Sequence, residues 1–334
     1  IFLKHLQDPE DKKIKINSLK MKELIVVVIS MTFTILLVRG DLAVKETQEK
    51  IILSDASNTV LIYHKKEMKP PEGADPNYKR SAFIHPIKTP KGAVLTSIHP
   101  KDHIHHMGLW NAWVKTSYEN REIDFWNLKK AQGSVQYAET LSIHDHKSEK
   151  GFTVIQNHVA FDPDKKSKII IKENFTIKLS KKNNKYFIDY ISNQKNITDT
   201  DFILPSYRYG GPIAYRGPEH WNSDNSKVLT SEGKNRNNGH ATRANWCSFT
   251  GPTKSGEATF CILSHSSNHD SPQRVRIWSN ENHNGAIFFN YVPAQEKSWN
   301  IKAGMNADFK YRIILSDKNL SPKKIKDYWV NYNK

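Results

Sequence analysis

Apolar and charged residues alternate along much of this chain with a period of two, which a β-strand satisfies and an α-helix does not. The clearest run is KIIIKENFTIKLSK (Lys168–Lys181), where Ile169, Ile171, Phe175, Ile177 and Leu179 alternate with Lys and Glu. NKYFIDYIS (Asn184–Ser192) follows a KKNN turn, so the two runs predict a hairpin. EATFCILSH (Glu257–His265), RVRIWSN (Arg274–Asn280), GAIFFNYV (Gly285–Val292) and FKYRIILS (Phe309–Ser316) continue the pattern, separated by turns rich in Asn, Asp, Gly and Lys. A single helix is expected at SPKKIKDYWVNYN (Ser321–Asn333), capped by Ser321 with Pro322 at its first position. These runs predict an all-β fold: a large antiparallel β-sandwich, one domain, with a short C-terminal helix.

The N-terminal region is of another kind. From Met21 the chain reads MKELIVVVISMTFTILLVRG, an apolar run of signal-peptide length and short for a bilayer span. Residues 1–20 are highly charged and read as an extension ahead of the true start at Met21. Residues 21–43 are then the signal peptide, either cleaved near Gly40 or Ala43 or kept as an uncleaved anchor, and 44–334 the folded domain. The mature chain is expected to be exported, periplasmic or extracellular, with no membrane span. Its formal charge of +16 comes from scattered lysines, without zinc-finger spacing, a Gly-rich phosphate loop or an RNP-like aromatic motif. Specific nucleic-acid binding is therefore not expected. A diffuse positive field does favour polyanions, acidic polysaccharides among them. Cys247 and Cys261 flank the turn-like PTKSGE, and both a disulfide and two buried thiols are open.

His99, His103, His105 and His106 crowd into SIHPKDHIHHMGLWNAW (Ser97–Trp113). Imidazole titrates nearest neutral pH and is the commonest metal ligand, so this segment is the candidate site. Read as extended backbone, it places His103 and His105 on one face and His106 on the other. One chemistry is a divalent metal as cofactor, held by His103 and His105 with His99, His240 or His269 completing the shell. The other is acid–base, with His103 and His106 as base or acid, Tyr209 as proton donor and Asp102 or Asp124 orienting an imidazole. Leu204–Trp246 reads as a long loop forming the second wall. From it Arg208, Arg216, His240 and Arg243 are the expected substrate contacts, and Glu232 with Glu219 the carboxylate pair of a hydrolase. Trp110 and Trp113 are expected to stack on sugars, while Trp126, Trp246 and Trp278 are assigned to the core.

Several segments together carry a family resemblance: RSAFIHPIKTPKGAVLT (Arg80–Thr96), DHIHHMGLWNAW (Asp102–Trp113), IDFW (Ile123–Trp126), SEGKNRNNGHATRANW (Ser231–Trp246), SSNHDSPQRVRIW (Ser266–Trp278) and AGMNADFKYRIILSD (Ala303–Asp317). With D-H-x-H-H-x-G-L-W as the most specific element, the chain resembles the exported bacterial domain of unknown function known as "methane oxygenase PmoA-like", from about Arg80 to its end. Those proteins usually carry Arg where this chain has Met107, so no anion contact is expected there. The resemblance implies an exported β-sandwich found in the company of carbohydrate-degrading proteins. True methane oxidation is disfavoured, since a membrane monooxygenase subunit needs several apolar spans of about twenty residues each. The expected function is acid–base chemistry on a glycan, acidic or neutral, by a glycoside hydrolase or polysaccharide lyase on a sandwich resembling the galactose-mutarotase supersandwich. The alternatives are a non-catalytic glycan-binding module and a His-ligated metal enzyme.

Overall fold

Strand pairing in the computed structural model follows the period-two reading closely; residues 42–162 and 166–334 are described. The extension at 1–20 and the leader as far as residue 41 lie outside them. Among the described residues no helix is long and apolar enough to cross a membrane. The strands form two eight-stranded antiparallel sheets and a smaller four-stranded one. In spatial order the first sheet runs Leu42–Glu46, Lys50–Asp55, Asn58–His64, Phe83–Ile87, Leu109–Ala112, Gly211–Arg216, Phe288–Tyr291 and Val275–Ile277. The second runs Lys227–Thr230, Trp246–Thr253, Gly256–Ser264, Asn306–Ser316, Lys185–Asn196, Ser167–Lys182, Glu149–Phe161 and Gly133–His146. One continuous apolar core joins residues of both, such as Ile51, Leu53 and Leu109 from the first with Ile177, Ile188 and Phe309 from the second.

The predicted hairpin is present in register Lys182↔Lys185. Asn183 and Asn184 carry φ of 51° and 53°, the paired left-handed conformation of a two-residue turn. The inward face expected for its first strand needs two corrections. A bulge between Ile169 and Ile171 leaves Ile169 39% exposed and buries Ile170 instead. Glu173 lies on the inward face between Ile171 and Phe175, fully buried.

The C-terminal helix spans Pro322–Tyr332, with Ser321 Oγ accepting from the Lys324 backbone N–H. It covers a second apolar cluster, Trp246, Cys261, Leu263, Ile314, Leu320 and Ile325, on the outer face of the second sheet. Cys247 pairs with Ile262 and Cys261 with Ser248, so the two sulfurs sit on opposite faces of the sheet, and both cysteines are free and buried. Burial raises the pKa of both thiols well above the usual thiol range. Native protein should therefore be inert to a thiol reagent such as DTNB, with both cysteines reacting after unfolding in denaturant. Immediate reaction of either thiol in the native state would contradict this packing.

The segment Leu204–Trp246, expected to be one long loop, contains the strands Gly211–Arg216 and Lys227–Thr230. Every residue of Gly211–Arg216 is buried because the strand lies inside the first sheet, between Leu109–Ala112 and Phe288–Tyr291. A strand buried on both faces shows no alternation, which is why GGPIAYR resembles a turn in sequence.

Candidate active site

The histidine segment is a closed loop rather than an extended strand. An isolated Ile98↔Met107 bridge pins its ends, and the His103 N–H bonds Pro100 O while the His106 N–H bonds His103 O, giving two successive turns. Arg216 clamps the base from the neighbouring strand: its N–H donates to Gly108 O at 2.8 Å and its C=O accepts from Ser97 N–H at 3.1 Å. Gly108 has φ +67°, and a Cβ there would lie 2.6 Å from Ile84 O, so the position admits only glycine without rearrangement. Turns break the alternation assumed for extended backbone. His103 and His106 consequently face the same way, with their rings stacked 4.8 Å apart, and the expected opposition of His106 is corrected.

These rings enter a pocket of about 120 Å³ lined by His103, His105, His106, Trp126, Asn127, Arg208, Tyr209, Arg276, Trp278 and Phe288. His106 is fully buried, stacked on Phe288 at 4.8 Å and tilted against Trp110 at 5.1 Å. Burial, reinforced by His103 and nearby arginines, lowers the His105 pKa to about 3, and it lowers that of His106 well below the ordinary value. Both rings are neutral at physiological pH. Tyr209 Oη accepts from Asn127 Nδ2 at 3.0 Å. Burial nevertheless raises its pKa to about 12, so the phenol keeps its proton.

Asp102 organises the loop. Its Oδ2 lies 3.1 Å from His103 Nδ1 and its Oδ1 accepts from Arg216 Nη2 at 2.8 Å. A carboxylate only accepts, so the neutral His103 ring carries its proton on Nδ1 and leaves Nε2 as its acceptor nitrogen. Burial would raise the Asp102 pKa, but the His103 hydrogen bond and the Arg216 guanidinium outweigh it and hold the carboxyl well below the usual range. Arg216 in turn lies over the Trp278 ring at 4.9 Å. Asp124, the other expected orienter, instead accepts from the N–H groups of Trp126 and Asn127 and holds the Asn127 side chain.

The pocket thus brings together His103, His105, His106, Tyr209 and Arg208, with Arg216 directly behind. His240 touches it through Arg276, its Nε2 lying 3.1 Å from Arg276 Nη1. Other expected site residues lie elsewhere. Trp110 is 1% exposed and Trp113 2%, and the Trp113 indole N–H donates to the buried Gln194. Neither presents a face to a sugar, because Leu109–Ala112 is buried throughout and Trp113, just past it, packs against Trp299 and Phe309. Glu232 stands exposed in the turn after Lys227–Thr230, where Ser231 donates to it, and does not line the pocket. Arg243 is committed to Asp270 and Glu296, at 3.1 and 3.3 Å.

For a cation, the converging donors are Asp102, His103 and His283, with one ligand atom from each within 4.8 Å of the others. His105, expected as the second ligand, is outside that group. Arg276, Asn127 and His283 were not singled out from sequence. Arg276 had one signal, as the polar residue between two apolar ones in RVRIW next to a tryptophan. Trp126 and Trp278 are buried as expected, yet each also lines the pocket.

No curated protein matches the chain in sequence. Among solved structures it is similar to a galactose mutarotase related enzyme from Lactobacillus acidophilus, at TM-score 0.38 and 9% identity, covering 83% of this chain and 97% of that one. It is also similar to a galactose mutarotase-like protein from Lactobacillus casei, at TM-score 0.37 and 6% identity, covering 82% and 100%. A GH36 alpha-galactosidase from Geobacillus stearothermophilus gives TM-score 0.39 and 9% identity, covering 83% of this chain and 41% of that one. The expected resemblance to PmoA-like proteins is corrected by the family comparison: residues 51–330 match a different description, and the chain belongs to the Family of unknown function (DUF6807).

Proposed function

We propose that this pocket performs acid–base chemistry on a glycan, and that the reaction is proton abstraction followed by elimination. The observation that carries the reading is the Asp102–His103 pair, whose free Nε2 belongs to a ring lining the same pocket as a phenol that keeps its proton. His103 Nε2 takes the ring C–H proton next to a sugar carboxylate. Tyr209 Oη–H protonates the departing glycosidic oxygen, so a C–H and a C–O bond break and a C=C bond forms. Carboxylate-pair hydrolysis has less support, because among the described residues no Asp or Glu lines the pocket and Glu232 stands away from it. Trp278 and Phe288 supply apolar walls against which a sugar ring can pack.

Incubation with uronate-containing polysaccharides should give products with the ultraviolet absorbance of an unsaturated uronate. In His103→Ala turnover should fall by about 10²–10⁴-fold, the span of one positioned base, while binding stays within a few-fold. Binding without turnover in the wild-type chain would favour a glycan-binding module. Stoichiometric metal, lost in both His103→Ala and His283→Ala, would overturn the base assignment, since His103 Nδ1 cannot hold both a proton and a metal.

A further inference from the structure

We infer that Arg208 and Arg276 form the receiving site for an anionic substituent of the glycan, the carboxylate of a uronate or a sulfate ester. This deepens the preceding reading and rests on it for the glycan, though not for the anion. Both arginines line the pocket, and among the described residues no carboxylate lines it with them. Among the described residues neither makes an ion pair, whereas Arg216, Arg243, Arg274 and Arg312 each hold an Asp or Glu. Of the three arginines expected from sequence to meet an anion, Arg208, Arg216 and Arg243, the last two are therefore already neutralised. The charge left for a ligand is on Arg208 and Arg276.

Arg276 is held ready. Its Nη1 lies 3.1 Å from His240 Nε2, and since a guanidinium only donates, that imidazole nitrogen accepts and the ring is neutral. Burial, then Arg276 itself, lowers the His240 pKa and keeps it so. Arg276 Nε–H is buried and has no partner among the described residues. Arg208 is flanked by Tyr207 and Tyr209, 5.8 and 5.7 Å from their ring centroids, which places its charge beside the phenol assigned as acid. The remaining titratable groups of the lining, His103, His105, His106 and Tyr209, supply no negative charge to offset two like charges. Burial lowers the Arg276 pKa, and Arg208 adds to the effect, as expected for a cation lacking its counter-ion. A bound carboxylate or sulfate would accept from both forks and relieve the repulsion.

The test is calorimetric titration of the full chain with trigalacturonate, its neutral methyl ester and a sulfated galacto-oligosaccharide, together with melting curves with and without inorganic sulfate. Wild type should prefer trigalacturonate over the ester by about tenfold or more, a typical margin for a charge-assisted contact. Arg276→Gln and Arg208→Gln should each bring that preference towards parity with ester binding unchanged, while Arg243→Gln keeps it. A variant-sensitive gain for the sulfated sugar instead identifies the sulfate ester. Sulfate should raise the melting temperature of wild type but not of Arg276→Gln. That shift without binding of any oligosaccharide would uphold the anion site while the glycan reading fails. Equal affinity for acid and ester, or a preference indifferent to both arginines, overturns the proposal, as does the absence of every sugar and sulfate effect.

Discussion

Truncating Glu173 to alanine is expected to lower the free energy of unfolding by about 3–5 kcal/mol, the usual cost of breaking a buried polar pair from one side. Glu173 occupies an inward position of Ser167–Lys182, where its neighbours along the face are Ile171 and Phe175. Its carboxyl accepts from three buried donors: Asn111 Nδ2 at 2.7 Å, Ser192 Oγ at 2.6 Å and His158 Nε2 at 2.8 Å. Alanine leaves all three donor hydrogens without their acceptor, although Ser192 Oγ still accepts from Gln194 Nε2 at 3.1 Å. Asn111 is the consequential one, because it belongs to Leu109–Ala112, the strand that follows the histidine loop, and its C=O also accepts from the buried Arg80 at 2.8 Å. Loosening it frees the strand carrying Trp110, against which His106 packs. Glu173→Gln keeps an acceptor oxygen, and the His158 ring can change tautomer to accept from the new amide. The proton then sits on His158 Nδ1, which is buried without a partner among the described residues, so that variant should lose about 1–3 kcal/mol. Equilibrium unfolding in urea measures both, and a Glu173→Ala protein within 1 kcal/mol of wild type, at unchanged slope, would show that the network contributes nothing net.

Glu173 also illustrates what the sequence could reveal. In KIIIKENFTIKLSK the face Ile171, Phe175, Ile177, Leu179 is interrupted at Glu173, so counting by two already places a carboxyl among core residues. Its partners were beyond reach, because Asn111 meets it only once the two sheets stack and His158 only once Glu149–Phe161 pairs beside its strand. The strands with regular alternation were legible to within a few residues: Phe309–Ser316 became Asn306–Ser316 and Glu257–His265 became Gly256–Ser264. Gly211–Arg216 was not, since burial on both faces erases the period. The histidine loop shows a similar division. Its density marked the pocket, and His103, His106 and Tyr209 do line it. Which rings face together depended on turns at Pro100–His103 and His103–His106 that a local extended reading cannot supply. Trp110, within Leu109–Ala112, and Trp113, just past it, are expected to meet sugar for the same reason: the residues that cover them are distant in sequence.

Asp102→Asn should shift His103 to the other tautomer and reduce turnover by about 10²–10⁴-fold, the contribution of a correctly protonated general base, with KM little changed. The carboxylate has two acceptor oxygens in use, one for Arg216 Nη2 at 2.8 Å and one for His103 Nδ1 at 3.1 Å. An amide has only one acceptor. Arg216 is nearly buried, its side chain 4% exposed, and cannot be left facing an NH₂ group, so the amide oxygen stays with the guanidinium. The amide nitrogen then points at His103 Nδ1 and can only donate. Nδ1 must give up its proton, Nε2 acquires it, and the nitrogen offered to substrate ceases to be a base. Asp102→Ala removes this conflict: His103 is free to take either tautomer, so its catalytic loss should be smaller, while its fold is weaker because Arg216 has lost its carboxylate.

Nitrogen-15 chemical shifts of His103 read the tautomer directly, independently of any substrate. Stability gives a further check with a definite sign. The folded-state pKa of Asp102 is depressed, so its contribution is fully present above the ordinary carboxylate pKa of about 4 and fades as pH falls through the folded value. The stability gap between wild type and Asp102→Asn should therefore be widest near neutrality and narrow in acid. A protonated Nδ1 persisting in Asp102→Asn, or a gap that does not change with pH, would separate Asp102 from the base it is held to orient, leaving His103 aligned by the turn alone.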